Sequence, residues 1–336
     1  MRKVVSFIVL VLLTTAILVA CTPPPTDVSG QFNVNNGIIT DPNGNTFNPI
    51  GANVGTLGSF DWAGDARGQS AAAQQWGWNI IRLNLYTNDY FTSPGTAKSR
   101  AQDIINEYTA KHIVVILASG WMCDVNNGGV SGPGFNNPTT PQNCPQPLAW
   151  MRDMAAANNT NPYVWFNCYN EPIADGSAWI NLQKACIDAV RGVWNNNLIV
   201  IDAPGAADAA WSGAKRMYDP SMGPVLTAYN RRLVFSNHNY DAFPTCSNSE
   251  VADYIDRMHA AQLAIIFGEF GDFSPGSLPK YHACAVANIA VGPGRHAGVV
   301  IWHGTMADGF WLRQGTAFYG NGPLTDLGQR LWNLTH

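Results

Sequence analysis

Charge is what this 336-residue chain has least of: Asp, Glu, Lys and Arg make up only 12% of it, about half the share of an ordinary soluble domain. With 19 basic against 23 acidic residues and a formal net charge of −4, it lacks the positive footprint that nucleic acid or an anionic membrane surface demands of a partner. Removal of a leader carrying Arg2 and Lys3 takes the charge from −4 to −6, two positive charges fewer. The chain has 7 cysteines, but no two are spaced Cys-x-x-Cys, so neither a zinc ribbon nor an iron–sulfur site is expected. No metal or other cofactor is expected from any other pattern. Gly-x-Ser-x-Gly is absent too, which removes the nucleophile elbow of an esterase. No low-complexity tract or second-domain linker follows Ser29. Polarity comes instead from Asn, Gly, Ser and Thr, alongside 12 Trp. Neutral polar groups with aromatic faces suit a neutral, polyhydroxylated ligand, although large cores also use Trp.

The N-terminus is a targeting segment. Arg2 and Lys3 precede an apolar run from Val4 to Ala20, the layout of a secretory signal; an uncleaved anchor is the alternative. Leu18-Val19-Ala20-Cys21 resembles the lipobox of bacterial lipoproteins, which implies lipidation of Cys21 and a new N-terminus there. Thr22-Pro23-Pro24-Pro25-Thr26 then forms a stiff, extended spacer. The expected organisation is a signal over 1–20, a Pro-rich tether over 21–29 and one catalytic-size domain over 30–336. The product is exported, touches a membrane only through its lipid, and is expected to be a monomer. Six further cysteines, at 123, 144, 168, 186, 246 and 284, form an even set in an exported chain and read as disulfides. Of the pairings possible, Cys123 with Cys144 is favoured, since both lie in one Gly/Pro/Asn-rich segment.

Eight short β-branched runs follow a small hairpin. The hairpin is signalled by Asn35-Asn36-Gly37 and Asp41-Pro42-Asn43-Gly44 between apolar stretches. The runs are 49–54, 80–85, 113–118, 163–169, 198–202, 233–237, 264–268 and 298–302. Near-continuous apolar runs are expected of parallel strands buried on both faces. Helical stripes lie between several of them: Ala101, Ile104, Ile105 and Tyr108; Leu182, Cys186, Ala189, Val190 and Val193, with Ser177 as N-cap; Val251, Tyr254, Ile255 and Met258; and Leu327, Leu331 and Trp332. Eight βα units of even period predict an α/β fold, a (β/α)8 TIM barrel with a short N-terminal β-hairpin. A doubly wound open sheet is the second choice. The one long gap, between the third and fourth strands, holds the segment Trp121–Pro147. It is read as an insertion at the barrel mouth.

Active sites of such barrels lie at the C-terminal ends of the strands. Strand two offers Arg82, and strand four ends in Asn170-Glu171-Pro172. Strand six runs out through His238-Asn239-Tyr240, which puts His238 and Tyr240 on one side. Strand seven ends in Gly268-Glu269-Phe270-Gly271 and strand eight in Trp302-His303-Gly304. Two glutamates at the ends of buried strands are costly unless partnered, and acids are scarce here. A pair of carboxyls across a barrel mouth is what glycoside hydrolysis needs: one protonates the leaving oxygen while the other attacks or activates water.

With those residues in that order, the chain resembles glycoside hydrolase family 5, in the clan that includes many cellulases and mannanases. The resemblance implies a retaining enzyme with Glu171 as general acid/base and Glu269 as nucleophile. It implies that Asn170 bonds the sugar 2-OH, that Arg82 and Tyr240 hold Glu269, and that His238 serves Glu171. Trp302 would be the platform under the sugar, through a cis peptide to His303. One departure is visible. Where the family carries a histidine after strand three, this chain reads Ala118-Ser119-Gly120-Trp121, so Trp121 is the candidate for that contact. The implied substrate is a β-linked polysaccharide or oligosaccharide, with β-1,4-glucan first and β-1,4-mannan second. A sugar-binding lipoprotein that has lost catalysis is the reading from a different class, and transglycosylation is a variant of the same chemistry. Trp62, Trp211 and Trp311 are sugar platforms or packing, and His303 and Asp308 are further cleft candidates. Lys98, Arg100, Arg231 and Arg232 read as solvated surface, and His112, His259, His282 and His296 show no ligand spacing.

Overall fold

The computed structural model describes residues 28–55, 64–85, 93–119, 145–172, 174–205, 216–239, 248–271, 290–305 and 312–336. The expected hairpin is β1 (Asn33–Asn35) with β2 (Ile38–Thr40), paired antiparallel. Its turn is Asn36-Gly37, both at positive φ (50° and 79°). That is the backbone a two-residue primed turn requires and that Asn-Gly tolerates best.

Eight strands follow: β3 (Ile50–Val54), β4 (Ile80–Asn84), β5 (Val114–Ala118), β6 (Val164–Asn167), β7 (Ile199–Asp202), β8 (Leu233–Asn239), β9 (Ala264–Phe270) and β10 (Gly298–Ile301). They close in chain order, β10 returning to β3, with every pairing parallel. Each overlaps one of the eight runs read from the sequence, so the (β/α)8 expectation holds. Helices α1 (Ser70–Gln75), α2 (Pro94–Thr109), α3 (Pro145–Ala157), α4 (Gly176–Arg191), α5 (Gly223–Tyr229), α6 (Asn248–Ala260) and α7 (Asp326–Thr335) alternate with them. Ala97, Ala101, Ile104, Ile105 and Tyr108 of α2 and Val251, Ile255 and Met258 of α6 are buried, which is why their stripes were legible. The cap of α4 differs from expectation. Asp175 holds that position, its carboxylate accepting the Gly176 N–H at 2.6 Å, and Ser177 is already inside the helix. Asp and Ser are nearly equal as caps, and the helix begins one residue ahead of Ser177, at Gly176 with positive φ (55°).

Inside the barrel two layers differ in chemistry. The lower one is apolar: Ile80, Val114, Ile116, Trp165, Val200, Val234, Ile266 and Val300 pack together, and the hairpin's Phe32 and Ile39 close the floor beneath them. Phe32 meets Phe47, Tyr163 and Trp165 edge to face, with ring centroids 4.9–5.3 Å apart, a favoured aromatic geometry. Arg232 corrects the surface reading given to it. It is fully buried under the hairpin, donating to the backbone oxygens of Phe32 and Asn196 and to Oδ1 of Asn33. Three oxygen acceptors replace the water a guanidinium loses on burial. Above the apolar layer, the same strands turn polar.

Candidate active site

The upper layer is built around Arg82. Along β4 the inward positions are Ile80, Arg82 and Asn84, so the guanidinium enters the barrel just above the apolar floor. It is fully buried and uses every nitrogen. Nη1 donates to Glu269 Oε1 (2.6 Å), Asn84 Oδ1 (2.9 Å) and Asn53 Oδ1 (3.0 Å). Nη2 donates to Asn170 Oδ1 (2.6 Å) and Asn167 Oδ1 (2.8 Å) and lies 3.5 Å from Asp202 Oδ2. Nε reaches Asn167 Oδ1 at 3.3 Å. The positive charge is therefore set chiefly against Glu269, in a cage of amide oxygens from β3, β4 and β6.

Glu269 faces inward because β9 is irregular. Along β9, Ala264 and Ile266 point into the barrel, and strict alternation would turn 268 inward and 269 out. Instead the register against β8 steps from Asn237–Phe267 to His238–Glu269, leaving Gly268 as an extra residue. A bulge of this kind re-aims the next side chain. A Cβ on Gly268 would come closer than 3.0 Å to Ser236 Oγ, so a larger residue there forces a shift.

Glu171 follows β6 and sits across the mouth. Its backbone is left-handed (φ 47°), uncommon for a residue that is not glycine and unusual just before a proline. Its N–H donates to Asp202 Oδ2 at 3.2 Å. Its carboxylate Oε1 lies 2.8 Å from Nδ1 of His238, which is itself 3.5 Å from Glu269 Oε2. One ligand atom each from Glu171, His238 and Glu269 lie within 4.8 Å of one another. Glu171 and Glu269 are 9% and 4% exposed, which leaves each an accessible edge at the floor of a cleft. These three are also the cluster that would hold a cation if one entered, but Arg82 already supplies positive charge at Glu269.

The Trp302–His303 peptide is cis, as the resemblance implied, and Trp302 is 9% exposed at the same mouth. His303 does not line the cleft. It is fully buried, and its Nδ1 accepts the Thr305 N–H at 3.0 Å. Burial, then the nearby Arg82 charge, push its pKa down to about 3, so the ring is neutral. Cys168 and Cys186 form a disulfide from the end of β6 to α4.

The structure thus brings together Arg82, Asn170, Glu171, His238, Glu269 and Trp302. Tyr240, Trp121 and Cys21 lie outside the described residues. So do Cys123, Cys144, Cys246 and Cys284, Trp62, Trp211 and Trp311, and Asp308 and His282. Four residues of the site were missed: Asn53, Asn84, Asn167 and Asp202. Each is the polar residue that breaks an inward apolar row at the upper end of its strand, a signal available in the sequence.

A closed parallel barrel with two carboxylates, an arginine and a histidine converging on its mouth defines a class of (β/α)8 enzyme built for acid/base work on a polar ligand. Residues 40–304 match the family described as Cellulase (glycosyl hydrolase family 5), and the chain belongs to that family. It is 26% identical over 268 residues to a mannan endo-1,4-beta-mannosidase of Streptomyces lividans, spanning 79% of this chain and 65% of the relative's length. In fold it is similar to the β-mannanase of Streptomyces thermolilacinus solved with mannohexaose (TM-score 0.68, 20% identity, covering 92% of this chain and 95% of that one). It is similar in the same way to the catalytic domain of a Thermobifida fusca endoglucanase (TM-score 0.67, 18% identity, covering 91% and 97%).

Proposed function

We propose that this chain is a retaining, endo-acting hydrolase of β-1,4-linked polysaccharide, with Glu171 as general acid/base and Glu269 as nucleophile. The observation that carries the reading is the spacing and charge around the two carboxyls. Oxygens of both lie within 4.8 Å of a shared histidine nitrogen and of each other, and only Glu269 is bound by Arg82 at 2.6 Å. Retaining enzymes hold their carboxyls about 5–5.5 Å apart, whereas inverting ones leave about 6.5–9.5 Å for a water.

In the first step a Glu269 oxygen forms a bond to the anomeric carbon. The glycosidic C–O bond breaks, and the proton of Glu171 goes to the leaving oxygen. In the second, Glu171 takes a proton from water. The water oxygen attacks the same carbon and displaces Glu269, restoring the β anomer. Arg82 neutralises the carboxylate that attacks and later leaves. It also holds Asn170 by Oδ1, leaving Nδ2 to donate to a sugar hydroxyl. Trp302 supplies the aromatic face and Tyr240 a second hold on Glu269, with Trp121 in place of the family's third-strand histidine. On substrate, mannan stands ahead of glucan, the reverse of the order the sequence suggested, because the relative matched over 79% of the chain is a mannan endo-β-mannosidase. We propose likewise that the protein is exported and carries lipid on Cys21.

The test is a panel of soluble galactomannan, carboxymethylcellulose and xylan with reducing-end detection, wild type beside Glu269→Ala. Galactomannan is expected to release reducing ends fastest, with the β anomer formed first. Glu269→Ala is expected to lose roughly 10⁴-fold or more and to yield an α-glycosyl azide when azide is added. Near wild-type turnover by Glu269→Ala, or an α anomer formed first, defeats the assignment.

A further inference from the structure

Asp202 ends β7 and is fully buried, yet the two-carboxylate mechanism gives it no task. Its position is held from several sides. The backbone carbonyl accepts the indole N–H of Trp179 in α4 at 2.9 Å, and Oδ1 accepts Nδ2 of Asn167 at 3.1 Å. Oδ2 then faces three groups of the site. It accepts the backbone N–H of Glu171 at 3.2 Å, and lies 3.5 Å from Nε2 of His238 and 3.5 Å from Nη2 of Arg82. His238 is therefore set between two carboxyl groups, Nε2 toward Asp202 and Nδ1 toward Glu171 at 2.8 Å.

We propose that Asp202 is a positioning residue for the acid/base cycle of Glu171, fixing which nitrogen of His238 carries the proton and pinning the left-handed backbone on which Glu171 stands. This rests on the acid/base reading of Glu171 given above. The argument runs through the histidine's two tautomers. At 3.5 Å a direct hydrogen bond is not made, but a buried negative charge still favours an N–H dipole aimed at it. With the proton on Nε2, Nδ1 has only a lone pair. The 2.8 Å contact then needs Glu171 to be the donor, hence in its protonated form. That is the form that can give a proton to the leaving oxygen. The opposite tautomer would donate from Nδ1 and favour ionised Glu171, unable to act as acid. Among the described residues, the other charged groups beside this line are Arg82 from β4 and Glu269 from β9, while His303 near Arg82 is neutral.

The experiment compares Asp202→Asn with Glu171→Gln in the full chain, on two kinds of substrate. Manno- and cellohexaose require protonation of the leaving group; the 2,4-dinitrophenyl β-glycosides of mannobiose and cellobiose need little. Asp202→Asn is expected to lower kcat on the hexaoses by about tenfold or more, with KM within about threefold. The pre-steady-state burst of dinitrophenolate should be nearly unchanged. The basic limb of kcat/KM should move to lower pH, because loss of the Asp202 charge and of the tautomer both favour ionised Glu171. Equal losses on both substrates with the basic limb in place would mean that Asp202 is structural only, and the proposal falls. If Glu171→Gln fails to discriminate between the substrates, the acid/base reading itself fails. If Glu171→Gln discriminates and Asp202→Asn does not, this inference alone does. A wild-type measurement covers the case in which Asp202→Asn does not fold: ¹⁵N NMR of the His238 ring should show the proton on Nε2, and a proton on Nδ1 alone overturns the proposal.

Discussion

At the scale of single residues, the site is a matter of which polar groups the barrel can afford to bury. Arg82, Glu171, His238 and Glu269 were legible because charged groups at strand ends stand out in a chain with so few of them. Arg232 was not. Nothing in Arg231-Arg232 distinguishes the exposed arginine from the buried one until the hairpin brings its carbonyls over the second. His303 gives the residue scale its own test. Its folded pKa of about 3 lies below the ordinary 6.5, by burial first and Arg82 second. The unfolded chain therefore takes up a proton near pH 6.5, while the folded protein does not until near pH 3. Stability from this group is complete above about pH 6.5 and is lost progressively as pH falls toward 3. At pH 4.5 the loss is about 2–3 kcal/mol, at roughly 1.4 kcal/mol per pH unit. His303→Asn keeps an oxygen for the Thr305 N–H and has nothing to titrate. Calorimetric melting at pH 7 and 4.5 is expected to show a smaller fall in Tm for His303→Asn than for wild type. An equal fall in both would move the acid sensitivity to other groups.

At the scale of elements, the eight strands were readable because each is a short, largely apolar run buried on both faces, as parallel strands are. Helices α2, α4, α6 and α7 were readable from their stripes, whereas α1 and α5 are 6 and 7 residues long, too short to show one. The irregularity at Gly268 was not legible, because a bulge exists only relative to the partner strand, and pairing register is absent from a single run. Yet that bulge decides whether Glu269 enters the barrel. Gly268→Ala places a methyl against Ser236 Oγ, at a separation that forces something to move. The expected cost is about 1–3 kcal/mol of stability, typical of overpacking. Activity should fall as well, since the shift lands on the residue before Glu269. Ser236→Ala in the same chain removes the oxygen and leaves its Cβ at 3.3 Å from the new methyl, so it should restore part of both. Wild-type denaturation midpoint and turnover in Gly268→Ala alone would show that the strand has slack and that the bulge does not depend on glycine.

At the scale of the whole molecule, the barrel has two ends with separate tasks. The glutamates lie at the C-terminal ends of the strands. The chain enters the domain at the opposite end, where Val28 donates its N–H to Asn33 Oδ1 and Phe32 closes the floor. Val28 itself therefore lies on the floor side of the barrel, opposite the glutamates. If Cys21 carries lipid and the Pro-rich stretch after it is a spacer, the lipid joins the domain through Val28, on the side opposite the glutamates. The anchor and the chemistry then contribute independently, and one substitution separates them. Cys21→Ala is expected to lose incorporation of a fatty-acid analogue and to leave the protein unprocessed or in the soluble fraction. Its kcat/KM on a soluble polysaccharide should stay within about twofold of wild type, since sites that share no partners act additively. Equal labelling of wild type and Cys21→Ala would rule out lipid at that cysteine. A large loss of turnover in a folded, unlabelled variant would instead show that the leader reaches the catalytic end, which the floor-side attachment at Val28 argues against.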